Sequence, residues 1–166
     1  MMKNTMRDRI EAVIKDRQLE RARIHEVPLL QYEAVIKRIE QCFVLRGGPL
    51  HWAGIEGRFV PSFPCKKQSS GKNRYWYRQL ASCLPQQPYY VLFEDVKNGA
   101  PKYWVYEIFP QEIAVVLDET MQDDLYILPK KMNWLISECH EDVVYFVGNV
   151  PQMLFTARME GQNGSY

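Results

Sequence analysis

The sequence predicts an α+β fold in which two N-terminal helices pack on a mainly antiparallel sheet, with a further helix before the last strand. Three observations carry this. Apolar residues recur at helical spacing over the first forty or so positions. Two β-branched and aromatic runs, YYVLFEDV and KYWVYEIF, flank an Asn98-Gly99 pair, the preferred turn of a two-residue hairpin. The composition, 46% apolar, 25% charged and 13% aromatic, is that of a globular chain.

The 166 residues match the common size of one domain, expected over 1–160 with a frayed tail at 161–166. No run reaches the length of a membrane span. The opening MMKNTMRDRIEAVIKDR lacks the apolar segment of a secretory signal, so a cytoplasmic location and no membrane partner are expected.

Taken in order, RDRIEAVIKDRQLERARI places Ile10, Val13 and Ile14 on one face of a helix running from Met6 to about Ile24. Pro28 interrupts it. A second helix is predicted from Leu29 to Phe43, with Leu30, Val35, Ile36, Ile39 and Phe43 as its buried stripe, and RGGPL stops it. HWAGIEGRFV has the length of a strand, and PSFPCKKQSSGKNR, residues 61–74, reads as an exposed loop. YWYRQLASCLP predicts a short third helix closed by Pro85. After the hairpin, PQEIAVVLD fits a helical turn or a strand, and its apolar run favours the strand. DDLYILP predicts a strand. KKMNWLISECHED predicts a helix with Met132, Leu135, Ile136 and Cys139 on its apolar face, and VVYFVGN the closing strand. About four to six strands are expected. The expected core is Ile10, Val13, Ile36, Ile39, Trp76, Leu80, Val91, Phe93, Trp104, Tyr106, Ile127, Trp134, Leu135, Val144 and Phe146.

No nucleotide-binding, nucleophile-elbow, zinc-protease or calcium-loop motif occurs, so no catalytic residue and no cofactor are assigned. Cys42, Cys65, Cys83 and Cys139 contain no CxxC pair, so reduced, packed thiols are expected and no metal. Cys139 and His140 are adjacent. On a helix they point about 100° apart, which removes them as a nucleophile and base; His140 is read as a surface histidine at a helix end.

Charge divides along the chain. Residues 1–80 hold sixteen Lys and Arg against eight Asp and Glu; residues 81–166 hold five against twelve. This suggests a dipolar surface unless folding interleaves the halves. In the basic half, Lys66, Lys67, Lys72, Arg74 and Arg78 surround Tyr75, Trp76 and Tyr77, and such interleaving can neutralise phosphates and stack on unpaired bases. A single-stranded nucleic-acid module using Lys66, Lys67, Lys72, Arg74, Tyr75, Tyr77 and Arg78 is therefore the alternative reading. In the acidic half, Asp118, Glu119, Asp123 and Asp124 gather at one turn, and Glu138, Glu141 and Asp142 near the last. An acidic surface of this kind speeds encounter with a basic protein partner.

The run YYVLFED, the Trp104-bearing strand after it, DDLYILPKKMNWLISECHED with Trp134, and the closing VVYFVGN resemble small bacterial α+β proteins of the SUKH and related immunity type over residues 89–149. That resemblance implies a non-enzymatic protein-binding domain whose partner is a toxin or another protein. It carries over no contact residue.

Overall fold

In the computed structural model, which describes residues 4–44, 48–55, 62–64, 75–97, 99–120 and 124–150, the α+β architecture holds. Helix α1 spans Met6–Asp16. It opens on a capping box in which the Thr5 side chain accepts from the Asp8 amide and the Asp8 carboxylate accepts from the Thr5 amide. It stops eight residues earlier than the sequence pattern suggests. Gln18 turns into the left-handed region at φ 53°, and the Leu19 N–H closes on the Ile14 carbonyl at 2.9 Å. The released chain forms a short strand, β1 (Ile24–Glu26), before Pro28 leads into α2 (Leu29–Phe43).

HWAGIEGRFV departs from its expected strand. Trp52–Gly54 is a 3-10 turn, with an isolated bridge between Val44 and Ile55, and residues 56–60 lie outside the described residues. Within the expected loop, Ser62–Pro64 forms strand β2, and residues 61 and 65–74 lie outside the described residues. The third helix is present as a 3-10 turn, Trp76–Gln79, continued by α3 (Leu80–Cys83).

The hairpin is present: β3 (Tyr89–Lys97) pairs with β4 (Ala100–Ile108) along their full length. Two later readings are corrected. PQEIAVVLD is α4 (Pro110–Glu119), because Pro110 suits the first helical position and Ile113, Val116 and Leu117 bury one helical stripe. After β5 (Leu125–Pro129), WLISEC is strand β6 (Trp134–Cys139), followed by β7 (Val143–Gly148). All six β6 residues are buried. A strand covered on both faces is apolar without alternation, so Met132, Leu135, Ile136 and Cys139 mimic a helical stripe. The helix preceding the last strands is thus α4.

Among the described residues seven strands, one more than the four to six expected, form one antiparallel sheet in the order β1-β4-β3-β5-β6-β7-β2. Alternation sends Val91, Phe93, Tyr106, Ile127 and Phe146 to the face covered by α1, α3 and α4. Leu92, Val105, Tyr126, Leu128 and Leu135 go to the opposite face, where Val35, Ile39 and Phe43 of α2 pack. Of the expected core residues, all are buried except Ile36 and Trp104, which are half-buried.

The charge halves interleave. Arg17 pairs with Glu119, Arg23 with Glu112 at 2.6 Å and Arg78 with Asp118 at 3.0 Å, each joining the basic half to the acidic one. Arginines of the early helices and turns thus neutralise α4, and the expected dipole is cancelled there. Among the described residues, no helix is long and apolar enough to cross a membrane.

Candidate functional site

A cleft of about 730 Å³ lies where the β3–β4 hairpin projects beyond β5. Its residues come from four parts of the chain. Asn4, Thr5 and Arg9 belong to the start of α1; His51 and Trp52 to the loop after α2; Glu94 to Lys97, with Gly99, Pro101, Lys102 and Trp104, to the hairpin; Asp124 and His140 to the ends of β5 and β6.

Asp95 fixes the hairpin to α1. Its Oδ2 accepts from the Met6 N–H at 2.8 Å and from the Trp104 indole Nε1–H at 2.6 Å. A carboxylate at the first amide of a helix also lies at the positive end of its dipole. The Lys102 ammonium, opposite Asp95 in the ladder, sits 4.1 Å from the centroid of the Trp104 ring, a cation–π contact.

The other wall is built on Asp124. Its side chain is only 7% exposed, and it receives the His140 N–H at Oδ1 (3.0 Å) and faces the His140 ring Nδ1 at 3.2 Å through Oδ2. Nδ1–H donation to that carboxylate fixes the ring tautomer and leaves Nε2 for another partner. The Trp52 ring stands edge-on to His140, 5.3 Å between centroids. His51 is held in turn as its Nδ1 accepts from the Ala53 N–H at 3.2 Å. The lining offers oriented hydrogen-bonding groups, aromatic edges and charges of both signs. Among the described residues its lining contains no serine or cysteine, and the Thr5 hydroxyl donates to Asp8 at 2.7 Å. No group of three or more His, Cys, Asp or Glu is placed to hold a metal ion among the described residues.

The acidic surface expected from the sequence is not gathered into one exposed edge. Asp118 accepts from the Tyr77 hydroxyl at 2.8 Å as well as from Arg78, and Glu119 is paired with Arg17. Glu138 is fully buried on β6, where the Trp76 indole donates to its Oε2 at 2.5 Å, so its carboxylate cannot face a partner. Asp124 is buried under His140. Glu141 and Asp142 lie in the β6–β7 turn, and Asp123 is outside the described residues. Arginines and His140 engage Asp118, Glu119 and Asp124, and Glu138 is turned inward because 134–139 is a strand covered on both faces rather than a surface helix.

Of the basic and aromatic segment, Lys66, Lys67, Lys72 and Arg74 lie outside the described residues. Tyr77 is buried, and burial together with the Asp118 hydrogen bond pushes its phenol well above the ordinary range. Arg78 stacks 3.9 Å from the Tyr75 ring centroid while pairing with Asp118, and Tyr75 is exposed. Cys139 is buried, its thiol 3.7 Å from the Tyr145 hydroxyl, and His140 is an exposed turn residue, not a helix end.

Sequence reasoning missed the cleft. Glu94 and Asp95 belong to no motif, and Trp52 falls in the expected strand HWAGIEGRFV. The available signal was a polar pair at the tip of the firmest hairpin, where a long ribbon outruns its neighbours. No curated protein and no solved structure matches the chain. A family model matches residues 2–158, nearly the whole of it, and the chain accordingly belongs to DUF6756, a family of unknown function.

Proposed function

We propose that this chain is a non-enzymatic protein-binding domain, of the immunity-protein kind, and that its partner docks at the cleft. The observation that carries the reading is the cleft itself. Two tryptophans, an oriented histidine and charged side chains from four distant segments converge on one hollow, held in place by hydrogen bonds and packing before any partner arrives. Preformed pockets with Trp and charged residues at their centre are where binding energy concentrates in protein interfaces. Glu94, Asp95 and Asp124 line it beside Arg9, Lys97 and Lys102, and Glu141 and Asp142 on the adjoining turn tip the balance toward a basic partner.

The test places a photo-crosslinking amino acid at Val96 in the cleft or at Gln86, an exposed position before the opposite end of β3. A basic protein should be captured from Val96 and not from Gln86. With that protein purified, Trp52→Ala should weaken its binding by about tenfold or more, the loss of one interface anchor. Equal capture from both positions, or full-strength binding by Trp52→Ala, would put the interface elsewhere.

A further inference from the structure

Trp52 reaches the cleft from a segment held at both ends. Leu50, two residues before it, is tied through each of its backbone groups: its N–H donates to the Glu40 carboxylate at 2.9 Å, and its carbonyl accepts from the Tyr103 hydroxyl at 2.7 Å. Glu40 comes from the last turn of α2 and Tyr103 from β4. At the other end, Ile55 bridges to Val44, just past α2. Between them, the 3-10 turn Trp52–Gly54 is closed by its own bonds, from the Gly54 N–H to the His51 carbonyl at 2.9 Å and from the Ile55 N–H to the Trp52 carbonyl at 3.4 Å.

The Leu50 and Ile55 side chains are buried, which keeps both ends down but sets no direction, since apolar burial is non-directional. The two hydrogen bonds at Leu50 do set one. Its N–H belongs to the peptide plane before the residue and its carbonyl to the plane after it, so both planes leading toward Trp52 are oriented. Strand alternation puts Tyr103 on the sheet face packed by α2 and its neighbour Trp104 on the face packed by α1.

We propose that Glu40 and Tyr103, neither of which is among the described lining residues, are positioning residues for the partner site and act through the Leu50 backbone to aim the Trp52 ring. This rests on the reading of the cleft as the partner site. β4 then carries one wall directly, in Trp104, and aims the other through Tyr103. Aiming matters because binding is stronger when an anchor is already in place and its ordering cost is not met on association.

The first measurement needs no partner. Trp52 stands edge-on to His140, 5.3 Å between centroids, so its ring current shifts the His140 ring protons by an amount given by the difference between the parent and Trp52→Leu. Proton NMR reads this shift on the high-pH plateau of the His140 titration, where protonation does not enter. Tyr103→Phe removes the hydroxyl and keeps the ring that packs on Tyr126, 5.7 Å between centroids; Glu40→Ala removes the acceptor, and Glu40→Gln keeps one in its amide oxygen. Tyr103→Phe and Glu40→Ala should each lose most of the Trp52 shift, and Glu40→Gln should retain it. A role in stability alone would lower Tm and leave the shift in place in all three, which overturns the proposal, as does an equal loss in Glu40→Gln and Glu40→Ala. If near-ultraviolet circular dichroism shows that Tyr103→Phe does not fold, the Glu40 pair decides. Against the basic protein captured through Val96, Tyr103→Phe should weaken binding about three- to tenfold, the scale of one hydrogen bond. It should add nothing in a Trp52→Ala background, because two changes that act through one side chain do not add. Additive losses would overturn action through Trp52. A shift lost as expected with no partner recovered would leave the aiming of Trp52 standing and remove the partner reading.

Discussion

Replacing Asp95 by alanine tests whether the cleft is built by the hairpin gripping the N-terminus of α1. The wild-type carboxylate receives the Met6 N–H at 2.8 Å and the Trp104 Nε1–H at 2.6 Å. The two losses are unequal. Met6 is fully buried, so its amide would be left without a partner, at a cost of about 1–3 kcal/mol. Trp104 is half-buried and water can replace much of its bond, so about 0.5 kcal/mol is assigned there. A lost charge at the helix N-terminus adds about 0.5 kcal/mol. The sum is about 2–4 kcal/mol, which for a chain of this size lowers Tm by about 5–15 °C. Both donors go to the same oxygen, so Asp95→Asn can keep both contacts on its amide oxygen and should lose mainly the charge, about 0.5–1 kcal/mol. Thermal unfolding followed by far- and near-ultraviolet circular dichroism reads both variants. A Tm for Asp95→Ala within about 2 °C of the parent, the range of ordinary surface substitutions, would show that the hairpin does not hold α1 in this way.

Gly148→Ala should be the costlier change, at about 2–4 kcal/mol in urea unfolding, because Gly148 has φ +78° and an added Cβ would lie 2.5 Å from the Asn133 carbonyl oxygen; a shift under about 1 kcal/mol would contradict the packing of β6 on β7. Burial, the largest cause in each case, raises the phenols of Tyr32, Tyr77, Tyr89, Tyr103, Tyr106 and Tyr126 above their ordinary value of about 10. The folded state therefore binds these protons more tightly than the unfolded state. Their contribution to stability is fully present below pH of about 10 and is lost as pH rises beyond it. Absorbance at alkaline pH should show these six of the ten tyrosines ionising only with unfolding, and smooth titration of all ten in the folded chain would contradict the burial.

Local chemistry made the hairpin legible. Asn98-Gly99 between two β-branched and aromatic runs specifies its own partner at short range, and the register follows from a two-residue turn. Helix α2 was readable too, since Pro28 starts it and an apolar stripe runs from Val35 through Ile39 to Phe43, although Leu30, expected on that stripe, is exposed because the first turn of the helix lies outside the packed face. Two segments were ambiguous for the same reason in opposite directions. IAVVL is apolar enough for a buried strand yet has Pro110 at a helix start, and WLISEC carries helical spacing yet is sandwiched between helix layers. Short apolar runs satisfy both periods, and only the neighbours that bury them choose.

What the sequence determined by itself was the class of fold, most of the core and the absence of a recognised catalytic motif, because composition, turn chemistry and hydrophobic period act within a few residues. What the tertiary structure decided was where charge and polarity end up. It brought Arg17 to Glu119 across 102 residues of chain and Arg78 to Asp118 across 40, buried Glu138, and drew Trp52, Asp95, Asp124 and His140 to one cleft. Those pairings join residues far apart in sequence, and the free energy that selects them comes from closing the sheet and packing its two faces. A linear tally of acids and bases contains no record of that closure.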